Sequence, residues 1–365
     1  MQGLLTAILR GELLAGRTLA ACDPDHLRAL AEQHGVLPLV AERLARMPQA
    51  PQEHAATFAA QARREAAADV VREVELLRLV AGLADAGIPA LVMKGAQLAY
   101  SHYSRPDLRP RMDTDLIVSA STRPEAHQLL VDLGYEPVEQ VAADLVMYQA
   151  VYVKRRDGVP VHAVDLHWRL ANPQPFGTVL TYDEMAASAV PIAPLGTGAR
   201  GLSHTHALLV ACIHPIAHHP HAQRLIWHHD IHLLASRLPA EEWDAFTSLA
   251  VERRVSSVCR RSLELAVQSF NTSVPAGVLA RLSAVATADA ATAAYLSPSR
   301  RQIHDAMWDF QALPTWGERL RLVRQHLFPP ASYMRDVYAP SSTAPLPVLY
   351  ARRAFRGARR WLGRA

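Results

Sequence analysis

The sequence predicts an α+β protein, a small mixed β-sheet flanked by N-terminal helices and a C-terminal helical domain. Three observations predict it. Apolar residues recur at helical spacing through the first 86 positions, short apolar runs bounded by turn signals follow, and helical spacing returns from about Ser203. The expected organisation is helices over 1–86, a sheet-bearing core over 87–200, a helical domain over 201–338, and a linker with a basic tail over 339–365.

Taken in order, Leu4, Leu5, Ile8 and Leu9 mark a first amphipathic helix, and Leu27, Leu30 and Ala31 another. A long helix is expected from about Ala55 to Ala86, with Val70, Val74, Leu77, Val80 and Leu83 in its pattern and Gly87 as its C-terminal cap. Ile88 to Met93 and Met112 to Val118 read as buried strands, and Pro124 to Leu133 as a helix closed by Gly134. "QAVYVKRR" and "VPVHAVDLHW" flank Asp157-Gly158, a strong hairpin signal. Beyond Ser203 the clearest helices are "HTHALLVACIHPIAHH", "AQRLIWHHDIHLLAS" and the run from Ala240 to Gln268. "VYAPSSTAPLP" is the linker.

Bulk composition excludes several classes. No apolar run approaches the roughly 18 residues of a membrane span. The N-terminus carries Arg10 and Glu12 inside its apolar pattern and resembles no signal peptide, so the expected location is cytoplasmic. Cys22, Cys212 and Cys259 fit neither a disulfide framework nor a zinc pattern and are expected to be buried thiols. The net charge is +4, but the last 17 residues hold six arginines and no acid, leaving the remainder at −2. The body therefore has no strong nucleic-acid signal outside the basic tail.

The chemistry concentrates at "MKGAQLAYSHYSRPDLRPRMDTDLIVS", Met93 to Ser119. Side chains alternate along a strand, so Asp113 and Asp115 share a face with Ile117. Two carboxylates on one buried face repel unless a divalent cation lies between them, and Mg²⁺ (or Mn²⁺) suits such oxygen ligands. Asp165 and His167 share a face of the hairpin strand. If that strand neighbours the first, three carboxylates converge and can hold two metal ions. Lys94-Gly95 follows a buried strand, where glycine lets the backbone approach a phosphate. Arg109 and Arg111 are candidates to clamp a triphosphate.

This combination resembles the nucleotidyltransferase superfamily with the polymerase β type of core. Within it, "LVMKGAQLAYSHYSRPDLRPRMDTDLIV" and "VDLHWRL" resemble a bacterial family of uncharacterised nucleotidyltransferases, some of whose members lie beside genes for ribosomally made peptides such as lasso peptides. The resemblance implies that residues 87–200 form the catalytic core, that Asp113, Asp115 and Asp165 are catalytic metal ligands, and that Gly95 belongs to the nucleotide-binding loop. The implied reaction moves an NMP group from an NTP to an unidentified acceptor, a peptide natural product or another small molecule. Two departures stand out: Ala96 replaces the usual Ser or Gly after Gly95, and the stretch from Gly95 to Asp113 is long. Lys94 and Arg109 are the residues available to replace the missing hydroxyl.

Nine of the 18 histidines lie between His204 and His232. His214 and His218 share a helix face, but "HPIAH" lacks the glutamate of a zinc hydrolase motif. They are expected to line the cleft or support the core, with His167 and Asp230 as further cleft candidates; Pro215 suggests a helix start or kink. Trp168, Trp227 and Trp243 are expected in the core. Competing readings are a non-catalytic nucleotide- or peptide-binding accessory protein, a toxin-like transferase acting on tRNA or protein, and a histidine-ligated metal hydrolase.

Overall fold

The computed structural model describes residues 1–12, 19–138, 145–219, 222–284, 289–339 and 344–362, the last six by backbone alone. His221 of the histidine run, the Trp361 side chain and the end of the basic tail lie outside the described residues.

The N-terminal helices are α1 (Gln2–Leu9), α2 (Pro24–Gln33), α3 (Leu37–Ala45) and the long α4 (Gln52–Asp85). Asp23 caps α2 by accepting from the Asp25 N–H, and Pro24 begins it with a preset φ. Then come β1 (Ala90–Met93), α5 (Lys94–Ser101), β2 (Thr114–Val118), α6 (Arg123–Asp132), β3 (Tyr135–Pro137), β4 (Gln149–Arg156) and β5 (Val159–His167). The β4–β5 turn has Asp157 and Gly158 both at positive φ (52° and 77°), the conformation that an Asp-Gly hairpin turn requires. Short helices α7 (Gln174–Gly177) and α8 (Tyr182–Ala187) and the two-residue strands β6 (Val190–Pro191) and β7 (Arg200–Gly201) close this region.

The seven strands form one mixed sheet in the order β3-β4-β5-β2-β1-β7-β6. β2 is central, parallel to β5 and antiparallel to β1. Its residues are all buried, and strict alternation divides them between two cores. Leu116 and Val118 join Val92, Val164 and Leu166 against Leu76, Leu79 and Leu83 of α4. Ile117 joins Leu91 and Met93 against the C-terminal helices. Asp115 has the parity of Ile117, so it faces those helices.

The C-terminal helices begin with α9 (His204–His218), α10 (Leu225–Arg237), α11 (Glu242–Glu252), α12 (Ser256–Phe270), α13 (Ala276–Ala284) and α14 (Ala290–Ala293). α9 is capped by Ser203 and runs unbroken through Pro215 in its last turn, so no helix starts there. The remainder is α15 (Gln302–Ala312), α16 (Trp316–Leu327), α17 (Ala331–Tyr338) and α18 (Leu346–Leu362). The N-terminal helices do not stand apart: Leu5, Leu27, Val40 and Phe58 pack with Leu225, Ile226 and Phe270. Cys212 and Cys259 are buried as expected, whereas Cys22 is only half-buried.

A buried ion pair ties α4 to the segment before β2. The Arg111 Nη2 lies 3.1 Å from Asp69 Oδ2 and donates to the Tyr100 hydroxyl at 2.8 Å. Its Nη1 donates to the Pro106 carbonyl at 3.3 Å. Arg111→Met would leave the Asp69 carboxylate buried without its main partner, and we expect a loss of about 3 kcal/mol of stability in urea unfolding.

Candidate active site

The strand pairing assembles the site. In the parallel β2–β5 ladder Asp115 lies opposite Asp165, and Ile117 opposite His167. In the antiparallel β1–β2 ladder Asp115 also lies opposite Met93, so the next residue, Lys94, emerges beside it. Lys94 Nζ donates to Asp115 Oδ1 at 2.6 Å, and His167 Nε2 lies 2.9 Å from the same oxygen. Lys94 opens α5 with φ +54°, a left-handed conformation that costs a non-glycine residue roughly 1 kcal/mol. Asp113 lies just before β2, which starts at Thr114, not at Met112 as the apolar pattern suggests. Gln149, at the start of β4, donates to Asp165 Oδ2 at 3.0 Å.

These groups open on one cavity of about 850 Å³, bounded by the sheet, α4, α9 and α10. Lys94, Gly95, Arg109, Arg111, Asp113, Asp115, Asp165, His214, His218 and Asp230 all line it. His167, only 1% exposed, lies behind its wall. The sequence-predicted residues therefore come together, but several are already engaged. Arg109 makes a bidentate pair with Asp230, Nε to Oδ1 at 2.9 Å and Nη2 to Oδ2 at 2.8 Å. Tyr103 donates its hydroxyl to the same carboxylate at 2.7 Å. Arg111 is held by Asp69, as above.

Gly95 has a specific reason to be glycine. A Cβ there would stand 3.3 Å from three atoms of the Arg109 guanidinium, a group pinned by Asp230 and unable to yield freely. The close approach that sequence reasoning assigned to a phosphate is made, in this structure, by an arginine.

Residues that sequence reasoning missed also line the cavity: Arg64, Glu65 and Arg72 of α4, Gln149, His219 and Arg224. Trp227, expected in the core, is nearly buried yet presents its ring to the cavity, with His219 stacked on it at 4.7 Å between ring centres. On α9 the rings of His214 and His218 are 5.6 Å apart. Among the described residues, the one trio of side chains whose ligand atoms lie within 4.8 Å of one another is Asp115, Asp165 and His167. Among the described residues, the α9 histidines make no such group.

A family model described as "uncharacterised nucleotidyltransferase" matches residues 20–271, more than half of the chain. The chain belongs to that family. It is a nucleotidyltransferase enzyme, and its match spans α2 through α12, including every residue of the carboxylate cluster. No curated protein matches it.

The electrostatics of this nucleotidyltransferase follow from crowding. Burial, then Asp115, pushes Asp113 up to about 6. Burial, then Asp115 and Asp113, pushes Asp165 up to about 7. Burial would also raise Asp115, but Lys94 and His167 override it and hold that carboxyl well below the usual range. Burial and Lys94 push His167 down to about 4, so the ring is neutral near pH 7; its Nδ1 is buried without a partner. The same causes lower His214 strongly and His218 to about 3.

The donor set fits divalent cations. The close trio supplies two carboxylates and an imidazole; Asp113 lines the same cavity outside that trio, and without a cation the Asp113 and Asp165 carboxyls are driven toward protonation. The sign of the stability effect follows. Asp165 binds its proton more tightly folded than unfolded, so its contribution to metal-free stability falls as pH rises from the ordinary 3.8 through about 7. We expect Asp165→Asn to leave the melting temperature of the metal-free protein unchanged below about pH 3.8, and to raise it by a growing margin up to about pH 7 that then stays constant. A second expected outcome is proton release on adding Mg²⁺ or Mn²⁺, with apparent affinity rising through the same range, measured by calorimetry in buffers of different ionisation heat.

Proposed function

We propose that the enzyme is a metal-dependent nucleotidyltransferase that moves an NMP group from an NTP to a small acceptor. The observation that carries the reading is the register that sets Asp115 against Asp165, with Asp113 beside them on a single deep cavity. Asp113 and Asp115 would hold two divalent ions and Asp165 one of them, with Mg²⁺ or Mn²⁺ the fitting choices. When bound, such ions offset the carboxylate charge and polarise phosphate oxygens.

The chain's own residues supply the rest. The acceptor oxygen attacks the α-phosphorus, a new P–O bond forms, the bond to the bridging oxygen of the β-phosphate breaks, and pyrophosphate leaves. Asp165, which faces the cavity beside Asp115, takes the acceptor's proton. Lys94 exchanges Asp115 for the triphosphate, and the first N–H groups of α5 after β1 face the same phosphates. Arg109 acts from the fixed place that Asp230 gives it. His214, His218 and the His219–Trp227 stack form the wall opposite the sheet, where base and acceptor lie.

The cavity favours a small acceptor or a peptide end over a folded macromolecule, because a volume of about 850 Å³ suits small-molecule ligands. The test is pyrophosphate release with each of the four NTPs, with Mg²⁺ and Mn²⁺ and a cell extract as acceptor source. We expect release that Asp113→Asn or Asp115→Asn reduces by at least about 100-fold, on the scale of losing a charged transition-state contact. Metal-dependent NTP binding without release under every condition would instead support a nucleotide-binding accessory protein.

A further inference from the structure

The C-terminal helices, beyond the residues matched by the family, carry an unusual surface. Ten of the eighteen large apolar side chains exposed among the described residues lie between Ile303 and Phe355. On α16 they form one stripe: Trp316, Leu320, Val323 and Leu327 are 68%, 65%, 40% and 56% exposed and spaced i, i+4, i+7, i+11. Leu322, on the opposite side of the helix, makes the buried contact with Leu145 and Leu313. Trp316 meets Phe310 of α15 edge-on at the start of the stripe, with ring centres 6.1 Å apart, but the stripe is not the face that buries the helix against the protein.

α18 repeats the arrangement. Leu349 is fully buried against Met334, while Val348, Ala351 and Phe355, spaced i, i+3, i+7, face outward. Arg352 and Arg356 are exposed beside them. The two helices adjoin, since Arg353 Nη2 donates to the His326 carbonyl at 3.0 Å.

Charge is segregated in the same region. From residue 301 to the end there are eleven arginines against four acids, a surplus of seven, while the whole chain carries only +4. Residues 1–300 are therefore at −3. Exposed aromatic and aliphatic stripes flanked by arginine bind weakly to water and strongly to an anionic amphiphilic surface. A nucleic acid would use the arginines but gain nothing from the Leu and Val stripe. A second copy of the chain would have to bring seven surplus positive charges against seven more.

We propose that α16 and α18 form a docking surface for an anionic lipid bilayer, holding the enzyme at the membrane face through residues that do not line its cavity. This reading is independent of the transfer chemistry. No described helix is long and apolar enough to cross a membrane, so the contact is peripheral.

The test is flotation of the full chain with vesicles of phosphatidylcholine, with and without phosphatidylglycerol. Binding is expected only to the vesicles containing phosphatidylglycerol, and to weaken as salt rises. Arg352→Ala/Arg356→Ala should lower the partition coefficient about thirtyfold, and Trp316→Glu/Leu320→Glu should abolish flotation. All four positions are exposed, so circular dichroism of the variants is expected to match the parent. The proposal is overturned if anionic vesicles do not float the protein, or if both variants float as well as the parent. It is also overturned if sedimentation shows a dimer that Trp316→Glu/Leu320→Glu dissociates, or if the protein binds single-stranded RNA and not vesicles.

Discussion

Everything at the site depends on the parallel pairing of β2 with β5. That pairing sets Asp115 and Asp165 side by side on a buried face, and the antiparallel pairing of β1 delivers Lys94 to the same place. A sheet gains stability from apolar contacts on both faces, and here β2 does so with Leu116, Ile117 and Val118. The carboxylates are the exception to that rule. They are tolerated because Lys94 and His167 meet Asp115 and Gln149 donates to Asp165. Such local violations of packing logic are characteristic of functional positions.

The cations around the cavity are held in a second layer of ion pairs. Arg109 is tied to Asp230 on α10 and Arg111 to Asp69 on α4. The segment between α5 and β2 is thereby fastened to helices on both sides of the sheet. Buried pairs of this kind contribute little net stability but fix geometry, since either charge left alone is costly. The positions of Arg111 and Arg109 are consequently set by residues 42 and 121 places away in the chain, and Arg109 is one of the cations felt at Asp113.

Much of this was legible beforehand, for reasons that differ by element. The strand pattern through Asp115, the Asp-Gly turn and the long α4 pattern are local signals, and each corresponds to an observed element, although Asp113 falls just outside the strand expected to hold it. That β5 neighbours β2 is not a local property; it entered as a condition and only the fold could supply it. Arg109 and Arg111 looked like free phosphate clamps because their acidic partners are remote in sequence. Arg64, Glu65 and Arg72 were invisible as cavity residues, since charges on one helix face resemble any solvated face. β6 and β7, at two residues each, are too short to carry a period.

Lys94 also bears on timing. Its backbone is committed to a left-handed turn by the β1–α5 junction, so the ammonium can leave Asp115 only by rotation about its own side-chain bonds. Such rotations take about nanoseconds in exposed side chains. Even if burial slows them to microseconds, they outpace a typical enzymatic turnover of roughly 10 per second. Release of the ammonium from Asp115 thus calls for no moving loop and no domain closure, and is not expected to set the pace of the reaction.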